Sequence, residues 1–310
     1  MESFTFKALD GADIFARAWL PSTAKGVVQI AHGMAEHCLR YDWFARELVE
    51  QGFAVYANDH RGHGETAPSE DKLGYFADKD GWDTVVTDLK SLTDVIREKH
   101  PGCPVFLFGH SMGSFLSRDY IAHYGKDLAG VALSGTAGDP GLLGKAGLMV
   151  SKTQAFFKGG KSPSPLMDKL SFGAYNKAFA PNRTPFDWLS RDPAQVDAYV
   201  KDPFCGFLCS TQFYVDLLTG ILKISSPEHI AKTPVSLPIY LFSGSMCPVG
   251  ENGKGVQKTY QAFQKAGITD LSIKLYDQGR HEMLNEINRE EVASDAIAWF
   301  KAHLPAIKEQ

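Results

Sequence analysis

The stretch Cys103-Pro-Val-Phe-Leu-Phe-Gly-His-Ser-Met-Gly113 decides how this chain folds. Its apolar run from Cys103 to Gly109 reads as a buried strand, and Met112 to Tyr124 reads as a helix, so Gly109-His-Ser-Met-Gly113 falls on the turn between them. In a G-x-S-x-G elbow the serine occupies a strained strand-to-helix turn, and the flanking glycines let neighbouring backbone approach without side-chain clashes. Ser111 would then stand at the carboxyl end of the sheet, beside a helix amino terminus, as a nucleophile. An ordinary tight turn is the plain alternative for the same five letters.

On either side of this elbow the chain alternates. Residues 13–20 and 26–32 have strand character, 41–50 is helical in spacing, and 53–58 is apolar again. Trp82 to His100 places Val85, Val86, Leu89, Leu92, Val95 and Ile96 on one helical face, and Pro101-Gly102 ends it. A strand is expected at 128–134. After an interruption, strand 237–243, helix 255–265, strand 271–276 and a helix from about 289 to 303 resume the pattern. Alternation at this spacing predicts an α/β fold with a mostly parallel sheet and helices on both faces. The interruption, 135–236, holds aromatic-rich helical patches separated by Gly/Pro/Ser stretches. It reads as a helical insertion between two late strands, leaving 1–134 and 237–310 as one core. Its aromatic residues either line a pocket or bury the insertion on the core.

Composition narrows the function. A chain of 310 residues with 44% hydrophobic residues can bury a large core. The formal net charge of -4 comes without a Lys/Arg run, so nothing favours nucleic acid as a partner. The amino-terminal ten residues have neither the basic region nor the apolar core of a secretion signal, and no apolar run approaches membrane-spanning length. Cys38, Cys103, Cys205, Cys209 and Cys247 lack zinc-type spacing and suit reduced thiols, so a cytoplasmic location is expected.

A nucleophilic serine needs backbone N–H donors aimed at the developing oxyanion. One should come from Met112, directly after Ser111; the loop His32-Gly-Met-Ala-Glu-His37, following an apolar run, nominates Met34 for the other. An ordinary glycine-containing strand exit is the alternative there. His32 and His37 bring a metal to mind, but no third ligand stands out, so no metal is expected. The general base should be a late histidine after the last strand, which selects His281 in Gln278-Gly-Arg-His-Glu-Met283. His60 and His63 precede the serine, and His100, His123 and His303 belong to helices or their ends.

Taken together, His32-Gly-Met-Ala-Glu-His37, Asp59-His-Arg-Gly-His-Gly64, Gly109-His-Ser-Met-Gly113, Trp188-Leu-Ser-Arg-Asp192 with Asp202-Pro203, and Arg280-His-Glu-Met-Leu-Asn-Glu286 resemble the monoacylglycerol lipase and lysophospholipase branch of the α/β-hydrolase superfamily, relatives of the serine aminopeptidases. Five collinear motifs spread over nearly the whole chain carry the resemblance. It implies an α/β-hydrolase fold, a cap built from the insertion, an acyl-ester substrate of lipid type and no cofactor; whether the cap also makes peripheral contact with lipid is left open by the sequence.

One position departs from that pattern. The family's loop after the penultimate strand reads Gly-x-x-Asp-Pro-Val, and its aspartate orients the histidine; here Gly244-Ser-Met-Cys-Pro-Val249 puts Cys247 in its place. A neutral thiol is a weak hydrogen-bonding partner with an ordinary pKa of about 8.5. Asp139, just beyond the preceding sheet strand, is the substitute acid the sequence favours, a position some lipases of this superfamily use. Its alternative role is a helix cap, because Asp139-Pro140 is a helix-start signal. Glu251 and Asp277 are weaker substitutes. An impaired enzyme and a silent binder of acyl ligands remain as readings without a substitute.

Overall fold

The computed structural model describes residues 1–305 apart from Pro68, Glu70 and Asp71. Among them, eight strands form one sheet: β1 (Glu2–Lys7), β2 (Asp13–Trp19), β3 (Gly26–Ala31), β4 (Phe53–Asn58), β5 (Val105–His110), β6 (Gly130–Ser134), β7 (Ile239–Gly244) and β8 (Leu271–Tyr276). Their order is β1-β2-β4-β3-β5-β6-β7-β8. The first two strands run antiparallel at one edge, and β4 through β8 pair in parallel. The expected strands all form, with ends shifted by up to two residues. The β1 edge strand is an addition: Phe4 and Phe6 alternate with polar residues in a segment whose pairing with β2 no local pattern announced.

The connections are helical: α1 (Asp42–Glu50), α2 (Gly81–Lys99), α3 (Met112–Tyr124), α4 (Gly141–Lys158), α5 (Pro165–Phe172), α6 (Pro193–Lys201), α7 (Thr211–Ile224), α8 (Pro227–Ile230), α9 (Lys254–Lys265) and α10 (Arg289–Ala302). The period of two along a strand divides the core into two layers. Phe106 and Phe108 of β5 pack with Phe44, Leu48 and Phe300 of α1 and α10, whereas Leu107 faces Leu89, Leu116 and Tyr120 of α2 and α3. Burying each such side chain contributes about 1.5–3 kcal/mol.

Helices α4 to α8 all fall between β6 and β7. Three of them start on the same local chemistry, Ser164-Pro165, Asp192-Pro193 and Ser226-Pro227. In each the capping side chain accepts a backbone N–H, from Met167, Ala194 and His229 respectively, and proline occupies the position whose own N–H has no helical acceptor. Helix α7 packs on α4, α2 and α3, so the segment between β6 and β7 is tied to the helices that cover the Leu107 face of the sheet.

Candidate active site

Ser111 lies between β5 and α3 at φ +52° and ψ -119°, a conformation that a side chain adopts at a cost of about 1–3 kcal/mol. The glycines make that turn feasible. A Cβ on Gly113 would fall 2.0 Å from the Ala31 carbonyl oxygen, and one on Gly109 would fall 2.4 Å from Ser117 Oγ. The backbone is held from both sides, since Ser111 N donates to the Ser134 carbonyl at 2.9 Å and Ser114 Oγ donates to the Ser111 carbonyl at 2.6 Å. Met112 follows as the first residue of α3, where a helix leaves its amide without an internal acceptor.

The loop after β3 comes up beside the serine. A Cβ on Gly33 would lie 3.3 Å from Ser111 Cβ, and Gly33 and Met34 line the same cavity as Ser111. This loop is tied down by a buried charge network. The Gly33 amide and the Tyr41 hydroxyl both donate to Glu36 Oε1, and Arg40 donates to Glu36 Oε2 at 2.7 Å. The same guanidinium grips Glu282 in two hydrogen bonds of 2.6 and 2.7 Å. Burial alone would raise the Glu282 carboxyl, but the Arg40 charge overrides it and holds the group down at about 2. The loop bearing Met34 and the loop bearing His281 are therefore cross-linked by ions that neither loop's local pattern revealed.

His281 is buried and borders the cavity with Ser111. Its ring packs 5.1 Å from Trp188 and 4.7 Å from His110, centroid to centroid. Burial pushes its pKa well below the ordinary imidazole value; His110 adds to this, and the Glu282 charge opposes it. The imidazole is thus neutral near pH 7, as a proton acceptor must be.

The group that contacts the far nitrogen is Cys247. Its Sγ lies 3.1 Å from His281 Nδ1, and the residue is fully buried. Burial raises the thiol above its ordinary value; the Gly250 amide, the Ser243 hydroxyl and the Val249 amide oppose that rise without reversing it. The side chain is therefore a neutral S–H. If it donates to Nδ1, the ring proton moves to Nε2 and the lone pair needed on the serine side is lost; if it accepts from Nδ1–H, sulfur is a weak acceptor. Ser243 Oγ, although set toward Sγ, completes no hydrogen bond of acceptable geometry among the described residues. These donors around Sγ form a pocket better matched to a carboxylate.

Asp139 does not take the acid's place, which corrects the expectation from sequence. It is exposed, and its Oδ1 accepts the Gly141 amide at 2.8 Å at the start of α4. Nor is it the helix N-cap, since Pro140 holds that position without a side-chain cap bond and Gly141, at positive φ, opens α4; Asp139 stands one residue earlier. Glu251 pairs instead with Lys258 at 2.8 Å. Nor do His32 and His37 form a joint metal site. Both His32 nitrogens are used, Nε2 accepting the His60 amide at 2.9 Å and Nδ1 bonding the Gly33 carbonyl at 2.7 Å, while His37 pairs with Asp202 at 2.8 Å.

The cavity measures about 210 Å³. Its floor is Gly33, Met34, Ser111 and His281, and its walls come from the inserted segment, with Phe172, Phe186, Trp188, Leu189, Tyr199 and Phe207. The motifs singled out in sequence also meet one another. Glu286 accepts from the Arg280 amide at 2.8 Å and from Arg191 Nε at 2.8 Å, and the Glu282 amide donates to the Leu189 carbonyl at 2.8 Å. Glu36, Arg40 and His110 were missed as site residues. The four-residue spacing of Glu36 and Arg40, and the adjacency of His110 to Ser111, were the available signals.

A parallel sheet with a strained serine elbow at its carboxyl edge and a histidine loop after β8 defines an α/β-hydrolase. The family model described as "Serine aminopeptidase, S33" matches residues 22–288. The monoacylglycerol lipase of Mycolicibacterium smegmatis is 27% identical over 301 residues, covering 97% of each chain. Human monoglyceride lipase is 28% identical over 282 residues, 90% of this chain and 82% of that protein. A carboxyl esterase from Bacillus coagulans, solved in complex with glycerol, superposes with a TM-score of 0.91 at 31% identity over 98% of both chains. The chain belongs to this S33 hydrolase family, and monoacylglycerol lipases are among its relatives.

Proposed function

We propose that this protein is a serine hydrolase that cleaves carboxylic esters of lipid type, with a single acyl chain, through an acyl-enzyme. The observation that carries the reading is the cavity in which Ser111, His281 and the Met34 loop border one apolar space. Ser111 Oγ attacks the ester carbonyl carbon while His281 takes its proton, and the Met34 and Met112 amides hold the resulting oxyanion. The bond to the alcohol then breaks as His281 returns the proton, and water repeats the sequence to release the acid. The lipase and esterase relatives support ester substrates. A cavity of about 210 Å³ is smaller than the roughly 300–1,000 Å³ typical of drug-sized ligands, which favours a monoester over a bulkier lipid.

In this reading residues 135–236 act as the cap. Helix α4 exposes Leu142, Leu143, Phe156 and Phe157 at 79–85% of their surface, contains no acidic residue, and carries exposed Lys145, Lys152 and Lys158. That combination fits contact with a lipid surface that presents the substrate. No helix among the described residues is long and apolar enough to cross a membrane, and all five cysteines are free thiols, in keeping with our assignment to the cytoplasm.

The test is labelling by a fluorophosphonate together with turnover of monoacylglycerols, p-nitrophenyl esters and aminoacyl amides. Ser111-dependent labelling and ester turnover without amide turnover are expected; amide cleavage in preference to esters would overturn the substrate class. A second reading, acyl-ligand binding without turnover, draws on the neutral thiol against His281. An unlabelled Ser111 in a protein that still binds a monoacylglycerol would favour it.

A further inference from the structure

Helix α3 leaves the Ser111 elbow and, toward its carboxyl end, enters a second cluster that the hydrolase reading does not use. Asp119 and His123 stand one turn apart on α3, and His229 of α8 meets them, so that one carboxylate oxygen and two imidazole nitrogens converge. Asp119 Oδ1 lies 3.1 Å from His229 Nε2 and 3.2 Å from His123 Nε2. Such distances ordinarily mark hydrogen bonds. Yet neither Asp119 Oδ1 nor His229 Nε2, both buried, completes a hydrogen bond of acceptable geometry among the described residues.

The other carboxylate oxygen is accounted for. Trp82 Nε1 donates to Asp119 Oδ2 at 2.6 Å, and Lys223 Nζ lies 3.0 Å from it while also bonding Asp83 at 2.7 Å. These contacts fix the carboxylate plane and turn Oδ1 toward the two histidines. With Asp83 and Asp119 set against Lys223, the surroundings carry one net negative charge before any ion arrives. His123 is 40% exposed whereas Asp119 is fully buried, so the cluster opens to solvent on one side.

We propose that Asp119, His123 and His229 form a zinc-type divalent metal site with a solvent molecule in the fourth position. In a tetrahedral site with metal–ligand bonds of about 2.0–2.1 Å, ligand atoms stand about 3.3–3.4 Å apart, close to the separations between Asp119 Oδ1 and the two nitrogens. Two imidazoles and one carboxylate match the ligand preferences of zinc. The ion would join α3, the helix behind the nucleophile, to α8, the last helix before the chain re-enters the sheet at β7. Its role is to stabilise the docking of the inserted segment, since a ligand that binds only the folded state adds stability by mass action.

The experiment takes full-length protein stripped with chelator, titrates it with zinc by calorimetry, follows thermal unfolding, and records visible absorption after loading with cobalt(II). One equivalent of zinc, a raised Tm and the d–d bands of a four-coordinate cobalt site are expected. His123→Ala, a change at an exposed position, should weaken zinc binding at least about tenfold and remove the cobalt bands. His37→Gln, which alters the separate cluster of His37, Asp202 and Cys205, should leave both unchanged. His229→Gln adds a buried ligand to the series, and if it fails to fold, the His123→Ala comparison decides alone. No stoichiometric binding by the wild type, binding unaltered in His123→Ala, or binding lost in His37→Gln would each overturn the site.

Discussion

The loop after β5 and the loop after β7 both deliver residues to one edge of the sheet, but they are held in shape by different parts of the chain. The β5 turn depends on missing side chains: Gly109 and Gly113 leave no room for a Cβ, and Ser111 is strained between them. The β7 turn also needs a bare Gly244, where a Cβ would fall 2.0 Å from the Gly279 carbonyl oxygen, but position 247 itself is held by backbone. Cys247 N donates to the Gly244 carbonyl at 3.1 Å and its own carbonyl accepts the Asn252 amide at 2.9 Å, so the turn at 247 has backbone hydrogen bonds that do not depend on which side chain stands there. A turn of the first kind resists substitution in its geometry. A turn of the second kind lets the chemistry change while the fold stays the same, which is how a thiol can come to face His281.

That contrast can be broken by mutation. The largest effect is expected for Ser111→Ala placed in a Cys247→Asp background, where kcat should fall by about 10⁶, the scale seen when a nucleophile is removed from a complete triad. In the Cys247 protein the same change should cost far less, and equal losses in both backgrounds would show that residue 247 is uncoupled from the serine. Next comes Cys247→Asp alone. A carboxylate in place of the thiol that now lies 3.1 Å from Nδ1, with the Ser243 hydroxyl and the Gly250 and Val249 amides beside it, should raise kcat by roughly 10³–10⁴ in steady-state ester hydrolysis.

The pH profile sharpens the comparison with a smaller effect. Because His281 is held well below the ordinary imidazole pKa, its neutral form persists as pH falls, and the acid limb of kcat/KM should lie below the pH where a free imidazole titrates. An aspartate at 247 favours the imidazolium, so the limb should move upward in Cys247→Asp; a limb that stays still would separate the two residues electrostatically. Smallest of all, Asp139→Asn should change kcat less than about twofold, since its carboxylate is exposed and accepts the Gly141 amide just ahead of α4, and its cost should be confined to stability, at most about 1 kcal/mol in denaturant unfolding.

Much of this was legible in advance, for identifiable reasons. Residues 53–58 and 112–124 form the strand and helix their apolar spacing implies, and Ser111 and His281, which border one cavity, could be nominated because an elbow and a late loop histidine leave short, ordered signatures. The choice between Asp139 and Cys247 was not legible. It turns on where Pro140 and Gly141 send the chain after β6, and both residues lie between Ser111 and His281 in order. Arg40 shows the same limit. Its spacing from Glu36 is a local fact, but its grip on Glu282 spans 242 positions of sequence.

The sequence by itself determined the alternation of strands and helices, the elbow at Ser111 and the presence of a thiol at position 247, because each is written in a short window of side-chain size, polarity and backbone freedom. Only the tertiary structure decided that this thiol reaches His281 Nδ1, that Asp139 turns away, and that Asp119, His123 and His229 converge. Those are distances between segments far apart in the chain, and they are set by how β6 and β7 lie side by side and how α3 and α8 pack, which no local pattern encodes.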